Sequence, residues 1–517
     1  MSVRTALQDP EVLHRRRWFT LAVLCMCLFV IVLDNSILNV AIPTLARAKE
    51  AGGLGASGAE LQWIVDSYTL VFAGLLLTAG SLGDRFGRYR FLTIGLCIFG
   101  VGSVLSAFSG AASVLVVTRG LMGIGGAAIM PATLSILTNV FTDPRERAKA
   151  IGVWAGCAGL AGLGPIVGGG LLAHFWWGSV FLVNAPVVIV GLVAAAYLVP
   201  DSRDPSAPKL DPLGALLSIL ALGTILWAVI EGPVHGWRSG AILAAFGVGF
   251  VLLVAFFLWE LHCESPMLDM RFFENPRFSA ASGAIMLTFF AMFGMLFVLT
   301  QYLQLVLGYS PVKAGTVLLP QAVFIMISAP LSSVLTRRFG NKLVVAGGLF
   351  LVSASLLLFR ILDEHTTIPT VMAVASLLAI GIGNIMAPAT DSIMGSLPRS
   401  KAGVGSAMND TTRQVGGAVG VAVIGSVLSS SFSASLGPKL RGVPADLVAQ
   451  AKTGIGSALS LVHDDRAAAP YASRIVAAAR SSYVGGMHSA IAVASVVLLV
   501  AAVGVLIWLP ARATSGE

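Results

Sequence analysis

Runs of about twenty consecutive apolar residues recur along almost the whole of this chain, and they constrain its fold more than any motif. A bilayer core is about 30 Å thick, so a helix rising 1.5 Å per residue needs roughly 20 apolar residues to cross it. We read fourteen such spans, at 18–43, 61–82, 91–109, 113–138, 150–172, 180–199, 211–231, 240–260, 279–306, 314–336, 343–361, 369–390, 403–429 and 487–509. Inside lipid every backbone polar group must be satisfied within the protein, and runs of this length do so as helices. The expected fold is therefore an all-α polytopic membrane protein. Of the 517 residues 56% are hydrophobic and 11% are charged. Soluble domains carry about 25% charged residues, so a soluble fold is excluded.

Orientation follows from lysine and arginine, which gather in alternate short loops: Arg15, Arg16 and Arg17; Arg85, Arg88 and Arg90; Arg145, Arg147 and Lys149; Arg337, Arg338 and Lys342; Arg399 and Lys401. Cytoplasmic loops are enriched in these residues. The net charge of +8 is thus a topology signal, and no nucleic acid is expected as a partner. The first apolar run follows a basic start and is too long for a cleaved signal, so we expect a retained first span. Both termini (1–17 and 510–517) are placed in the cytoplasm of an inner, or cytoplasmic, membrane.

The loop "DRFGRYRF" (84–91) returns as "TRRFGNKL" (336–343). An internal repeat of this kind is how many secondary transporters are built. It predicts an N-terminal six-helix bundle at 18–199, two additional helices within 200–278 and a C-terminal six-helix bundle at 279–509, a 6+2+6 arrangement. The longest polar stretch, 430–486, lies outside on this topology. Its periodicity fits a small helical hairpin, with a mobile loop as the alternative.

Several residues carry possible chemistry. Asp66, in "WIVDSYTL", sits one turn inside an apolar run, where an ionised carboxylate costs on the order of 3 kcal/mol. Asp34 lies within the first span and Arg119 within the fourth. An intramembrane cation needs an acidic or carbonyl partner, and Asp34 and Asp66 are the candidates. In "GSLGDRFGRYR" (80–90), Asp84 can cap a helix N-terminus and Gly87 permits a tight turn. The flanking arginines can reach acids or helix ends in the other half. Asp410 is either a further proton site or the local partner of Arg413, three residues on. Asp391 is expected near the inner end of its helix, solvated or at a gate.

The five cysteines (Cys25, Cys27, Cys97, Cys157, Cys263) show no zinc or disulfide spacing, and the histidines are scattered. No metal and no cofactor are expected. There is no Walker-type loop, which argues against direct ATP coupling. A membrane enzyme would need clustered His, Asp or Ser at one interface, and the sequence shows none.

Four segments then resemble known signatures. The 80–90 loop, with Gly80, Asp84, Arg85, Gly87 and Arg88, is similar to the loop between helices 2 and 3 of the major facilitator superfamily. "LVVTRGLMGIGGAA" (115–128) resembles that superfamily's helix-4 motif at Arg119 and Gly123. "GCAGLAGLGPIVGGG" (156–170) resembles the helix-5 motif of antiporters at Gly156, Gly164, Pro165, Gly168 and Gly169. "LDNSILNVAIP" (33–43) resembles the first-helix motif of the fourteen-helix drug–proton antiporters, with Ser36 where Thr is commoner. "WIVDSYTLV" brings the likeness nearest to the quaternary-ammonium efflux pumps.

The resemblance implies the major facilitator fold and helices 1 and 4 lining a central cavity. It also implies export of small lipophilic, cationic compounds against protons, driven by the proton gradient, with membrane lipids as surroundings and no obligate protein partner. Asp34, Asp66 and Arg119 would carry the proton coupling, with Asp410 as a possible fourth member. A fixed structural pair is the alternative for Arg119. The helix-5 glycines allow a close, movable seam, and Pro165 removes a helix hydrogen bond and can bend the span. Substrate-binding candidates are Asn39, Trp63, Tyr68, Trp154, Phe289, Phe293, Tyr302 and Asn384; the aromatic ones could hold a cation through cation–π attraction. Export of an endogenous antibiotic, lipid or peptide is the alternative function. Helices 9 and 10 hold no acid, a departure from acid-rich relatives that counts against broad recognition of divalent cations.

Overall fold

The computed structural model describes residues 10–45, 49, 53–56, 58–157, 160, 163–203, 211–264, 266, 268–464 and 466–510. Helices carry the fold: α1 (Pro10–Leu45), α2 (Gly58–Phe86), α3 (Arg88–Ala107), α4 (Ala112–Val140), α5 (Pro144–Gly156), α6 (Leu163–His174) and α7 (Ser179–Leu198) come first. A pair follows, α8 (Pro212–His235) and α9 (Gly240–His262). The second half comprises α10 (Pro276–Gln301), α11 (Pro311–Phe339), α12 (Asn341–Leu358), α13 (Ile368–Gly395), α14 (Ala402–Lys439), the short α15 (Ala445–Ala451) and α16 (Ile455–Asp464), and α17 (Ala472–Trp508).

Among the described residues thirteen helices are long and apolar enough to cross a membrane. The fifth of the fourteen expected spans, 150–172, is covered by α5 to Gly156 and α6 from Leu163, with 158–159 and 161–162 outside the described residues. Its composition is rich in glycine. Glycines at 156, 164, 168, 169 and 170 each weaken helix propagation by about 1 kcal/mol relative to alanine. Pro165 falls in the first turn of α6, where its missing N–H costs nothing.

Local signals account for several other boundaries. Asp143 caps α5, its side chain accepting from the Glu146 amide at 3.2 Å, with Pro144 at the first helical position. Asp211 caps α8 in the same way, accepting from the Gly214 amide at 2.8 Å. Gly87 and Gly340 separate α2 from α3 and α11 from α12, with φ of 110° and 83°, a conformation that glycine adopts without a Cβ penalty. The repeated Arg-Phe-Gly sequence thus produces the same left-handed turn in each half.

Packing follows the repeat. In the first half α2 and α3 pack on α4; in the second α11 and α12 pack on α13. The halves meet along two seams, α2 against α14 and α5 against α11. Helix α8 packs against both α2 and α14 through apolar clusters that include Ala73, Leu226, Val229 and Ala418, and Leu77, Leu222, Val404 and Ala407. The inserted pair therefore covers the first seam and leaves the second to α5 and α11.

The segment 430–486 holds the last turns of α14, the helices α15 and α16 and the first turns of α17. Leu447, Ala451, Ile455, Ala458 and Leu461 are buried there. Helix α16 packs on α17 and touches the single π-helical turn, Tyr302–Val306, that continues α10.

Candidate functional site

Three features of the interior combine into one candidate site: a buried ion pair in each half and a polar latch at the basic end.

The first pair joins α1 to α4. Arg119 is fully buried and Asp34 is 2% exposed. The Arg119 guanidinium donates through Nη1 to Asp34 Oδ2 at 2.5 Å and through Nε to the Ile64 carbonyl of α2 at 3.1 Å. Its plane lies 4.5 Å from the centre of the Tyr68 ring, also on α2. The other Asp34 oxygen accepts from Asn184 Nδ2 at 3.0 Å. Asn184 donates again to Ser103 Oγ at 3.1 Å, and Ser103 donates to the Phe181 carbonyl at 2.7 Å. Asp34 of α1 is thus bonded directly from α4 and α7, and α2 and α3 join through Arg119 and Asn184. Of the two acids proposed as partners of Arg119, Asp34 is the bonded one. Asp66 is half-buried on α2, and the hydrogen bonds of Arg119 go to Asp34 and Ile64.

The second pair lies on α14. Asp410 is 2% and Arg413 7% exposed, and their side chains approach to 3.7 Å across three residues. Asn409 Nδ2 donates to Asp410 Oδ1 at 3.4 Å, and Asp410 Oδ2 accepts no hydrogen bond among the described residues. Arg413 donates through Nη2 to Thr390 Oγ1 at 3.3 Å. Its guanidinium lies 5.3 Å from the Trp154 ring and 5.3 Å from the Phe289 ring. Trp154 comes from α5, in the first half, and its Nε1 donates to Thr133 Oγ1 of α4 at 3.2 Å.

The latch is built on the 80–90 loop. Asp84 accepts from the Gly403 and Val404 amides, at 2.8 and 3.0 Å, which are the first free N–H groups of α14. It therefore caps a helix of the opposite half, where both hydrogen bonding and the helix dipole favour a carboxylate. Arg88 pairs with Asp84 at 2.7 Å and donates to the Arg399 and Ser400 carbonyls, both at 2.9 Å. Gly80 makes the approach possible: a Cβ on it would fall 2.5 Å from Ala407 Cβ and 2.6 Å from the Gly403 carbonyl. Arg85 is half-buried with its guanidinium 5.5 Å from the neighbouring Phe86 ring. Two further contacts cross the halves at this end. Arg147 pairs with Asp391 at 3.1 Å, and Arg399 donates to the Thr142 carbonyl at 3.1 Å.

The second seam uses small residues. A Cβ on Gly152 would lie 3.1 Å from Pro330 Cα and one on Gly156 would lie 3.1 Å from the Met326 carbonyl. Gly164 and Gly168 face Ser36 and Ile37 of α1 instead, and Gly169 has nothing within 4 Å. The seam between halves is thus made by Gly152 and Gly156, while the later glycines of the motif fit α6 to its own half.

The remaining candidates divide. Phe293 is half-buried with its ring 5.8 Å from that of Phe289. Asn384 is half-buried on α13, donating to the Ile380 carbonyl at 2.9 Å, with its Oδ1 buried and unpartnered among the described residues. Trp63 is half-buried near the start of α2. Tyr302 is committed elsewhere: it is fully buried in the π turn and donates to the Asp363 carbonyl at 2.6 Å, beneath the loop between α12 and α13. Asn39 and Pro165 fall in helices, but their side chains lie outside the described residues. Sequence reasoning missed Asn184, Ser103, Thr390, Asn409 and Gly152. A lone amide in "FLVNAPVVI" was the available signal for Asn184. Among the described residues no group of three or more His, Cys, Asp or Glu side chains could hold a metal.

Comparison with known proteins agrees with this architecture. The model of the Major Facilitator Superfamily matches residues 24–421. The multidrug efflux pump LfrA of Mycolicibacterium smegmatis is 38% identical over 94% of this chain and 95% of its own length. The methyl viologen resistance protein SmvA of Salmonella typhimurium is 34% identical over 95% of this chain and 97% of its own. The tetracenomycin C resistance and export protein of Streptomyces glaucescens is 34% identical over 81% and 77%. Among solved structures, the human organic anion transporter MFSD10 superposes with a TM-score of 0.61 at 13% identity, covering 95% of this chain and 99% of that one. At that identity the likeness is one of fold.

Proposed function

This chain belongs to the Major Facilitator Superfamily, and on that premise we propose that it exports lipophilic organic cations in exchange for protons. It is a transporter with many membrane-spanning helices. The observation that carries the proposal is the Asp34–Arg119 pair, buried where five helices converge. The carboxylate there is bonded by Arg119 and by the Asn184 amide. Protonation would weaken the Arg119 bond and release α1 from α4, so one proton can change how the helices fit.

The basic loops support a cytoplasmic position for the latched end. The bridges that Asp84, Arg88, Arg147 and Arg399 make there support reading this as the form closed to the cytoplasm. In it Asp34 would exchange protons with the outer side. Asp66, half-buried beside this group on α2, would meet the positive charge of the substrate. Planar monovalent lipophilic cations are natural candidates, since one relative is a multidrug pump and another a methyl viologen resistance protein, so export of organic cations has precedent among the relatives. One proton for one monovalent cation moves no net charge. Each further proton would add about 2.3 kcal/mol per 100 mV of membrane potential.

Reconstitution in liposomes with an imposed pH gradient tests this. Uptake of ethidium against the gradient is expected for the native chain and is lost in Asp34→Asn. Flux that survives in Asp34→Asn would remove the pair from the coupling path. Native chain with no cation flux at all would favour export of an antibiotic-like metabolite, for which the tetracenomycin C exporter is the precedent.

A further inference from the structure

We propose that Trp154 and Phe289 form a clamp for a planar organic cation, and that in this closed form the clamp is occupied by the protein's own Arg413. The inference deepens the exporter reading and rests on it. Its starting point is that one guanidinium lies equally far, 5.3 Å, from two aromatic rings, within the distance at which a ring face attracts a cation. A guanidinium is itself planar, delocalised and weakly hydrated, and it stacks on aromatic faces. It is the side chain that most resembles a small planar organic cation.

Three details distinguish this arrangement from an ordinary buried ion pair. Arg413 is held loosely by its acid. The separation is 3.7 Å, its Nε donates to nothing among the described residues, and Asp410 Oδ2 likewise has no donor. Both partners therefore have spare bonding capacity among the described residues. Buried polar groups in a settled core are almost always satisfied, so these two are suited to a second position in which the pair closes. The rings, by contrast, are fixed. Trp154 is 1% exposed and bonded to Thr133, and Phe289 is 7% exposed. Finally, the clamp has one jaw in each half, Trp154 on α5 and Phe289 on α10. Its width is therefore set by how the halves sit together, as a clamp that must both hold and release requires.

The consequence is a competition. A planar cation entering between the rings displaces Arg413, which moves onto the free oxygen of Asp410. In the absence of cargo Arg413 returns and keeps the space filled. The protein's arginine thus sets the affinity threshold that a cargo must exceed.

The test uses the full-length purified protein and ethidium as the planar probe, with binding followed by fluorescence anisotropy. Arg413→Gln empties the clamp and is expected to tighten binding about tenfold, equivalent to about 1.4 kcal/mol. Because that change also leaves Asp410 uncompensated, the charge-balanced double variant Asp410→Asn/Arg413→Gln is measured beside it. The gain is expected to persist there and to vanish when Trp154→Leu is added. Unchanged or weaker binding in Arg413→Gln overturns the clamp. So does a gain that disappears in the charge-balanced variant, or one that survives Trp154→Leu.

Should Arg413→Gln fail to elute as a folded protein, Arg413→Lys keeps the charge on a compact ammonium that stacks poorly, and a gain of roughly threefold is expected; no gain overturns the proposal. The two readings fail separately. Native protein that pumps ethidium with binding indifferent to residue 413 refutes the clamp alone. Native protein with neither ethidium binding nor proton-driven flux refutes the exporter reading and the clamp with it.

Discussion

The two buried Asp–Arg pairs have the same composition and opposite construction. Asp34 and Arg119 come from different helices and touch at 2.5 Å, with Asn184 on the second Asp34 oxygen and the Ile64 carbonyl on Arg119 Nε, while Arg119 Nη2 has no partner among the described residues. Asp410 and Arg413 are neighbours on one helix, stand 3.7 Å apart and keep unbonded atoms on both sides. The first pair joins elements, so changing its charge changes helix packing. The second pair lies within α14; its arginine bonds Thr390 of α13 and meets the other half through the face of Trp154. One is built as a bond that a proton can break, the other as a side chain that a ligand can move.

The largest effect is expected from Arg119→Leu. It strands the Asp34 carboxylate in the interior, and breaking a buried pair by removing one partner costs about 3–5 kcal/mol. Thermal unfolding in detergent should show a marked drop, together with loss of flux. Asp34→Asn should unfold nearer to the native chain while losing flux equally. Equal destabilisation by both would mean that the pair is only structural.

Asp410→Asn should cost less, about 1–2 kcal/mol, because Arg413 keeps Thr390 and the two rings. If it unfolds as easily as Arg119→Leu, the contrast between the pairs is wrong. Asp84→Asn should come next. It weakens the cap on α14 and the Arg88 bonds, by about 1 kcal/mol, and should raise cysteine accessibility at the latched end, read by maleimide labelling of a cysteine placed at Ser400.

Smallest of all is Glu146, at the same end of the bundle and outside the spans. Arg17 holds its carboxyl below the usual range through two hydrogen bonds of 2.8 Å. The stabilisation is present above the unfolded pKa, about 4.3, and is lost as pH falls through the lower folded value. Glu146→Gln should therefore leave stability near pH 7 almost unchanged, since exposed pairs contribute little, and flatten its dependence on pH below about 5. A large effect at pH 7 would mean that charge at this surface matters as much as charge in the core.

Much of this contrast was legible beforehand, for identifiable reasons. Asp34 and Arg119 stood out because charges inside apolar runs are costly, and Arg413 stood out through its i,i+3 spacing from Asp410. The choice of Asp34 over Asp66 was not legible, since both acids lie on helices adjacent to α4 and only the crossing geometry decides which carboxylate Arg119 reaches. Nor was Asn184, an amide that hydropathy treats as noise. Tyr302 was selected as an aromatic at a plausible depth, but residue type carries no information about the loop carbonyl above it. Gly152 was overlooked because it lies one turn before the recognisable motif, although a Cβ on it would come as close to Pro330, 3.1 Å, as one on the motif's Gly156 would come to Met326.

Helix α14 begins at the amides held by Asp84 and continues without interruption to Lys439, beside the short helices α15 and α16. Its 38 residues make it about 57 Å long at 1.5 Å per residue, well beyond the roughly 30 Å of the hydrocarbon core. Mechanically it is a lever with its fulcrum at the latch. A tilt of about ten degrees at the Asp84 end would sweep the far end through roughly 10 Å for a helix of that length. Two amide hydrogen bonds at one surface of the membrane thus set the position of whatever rides on the other.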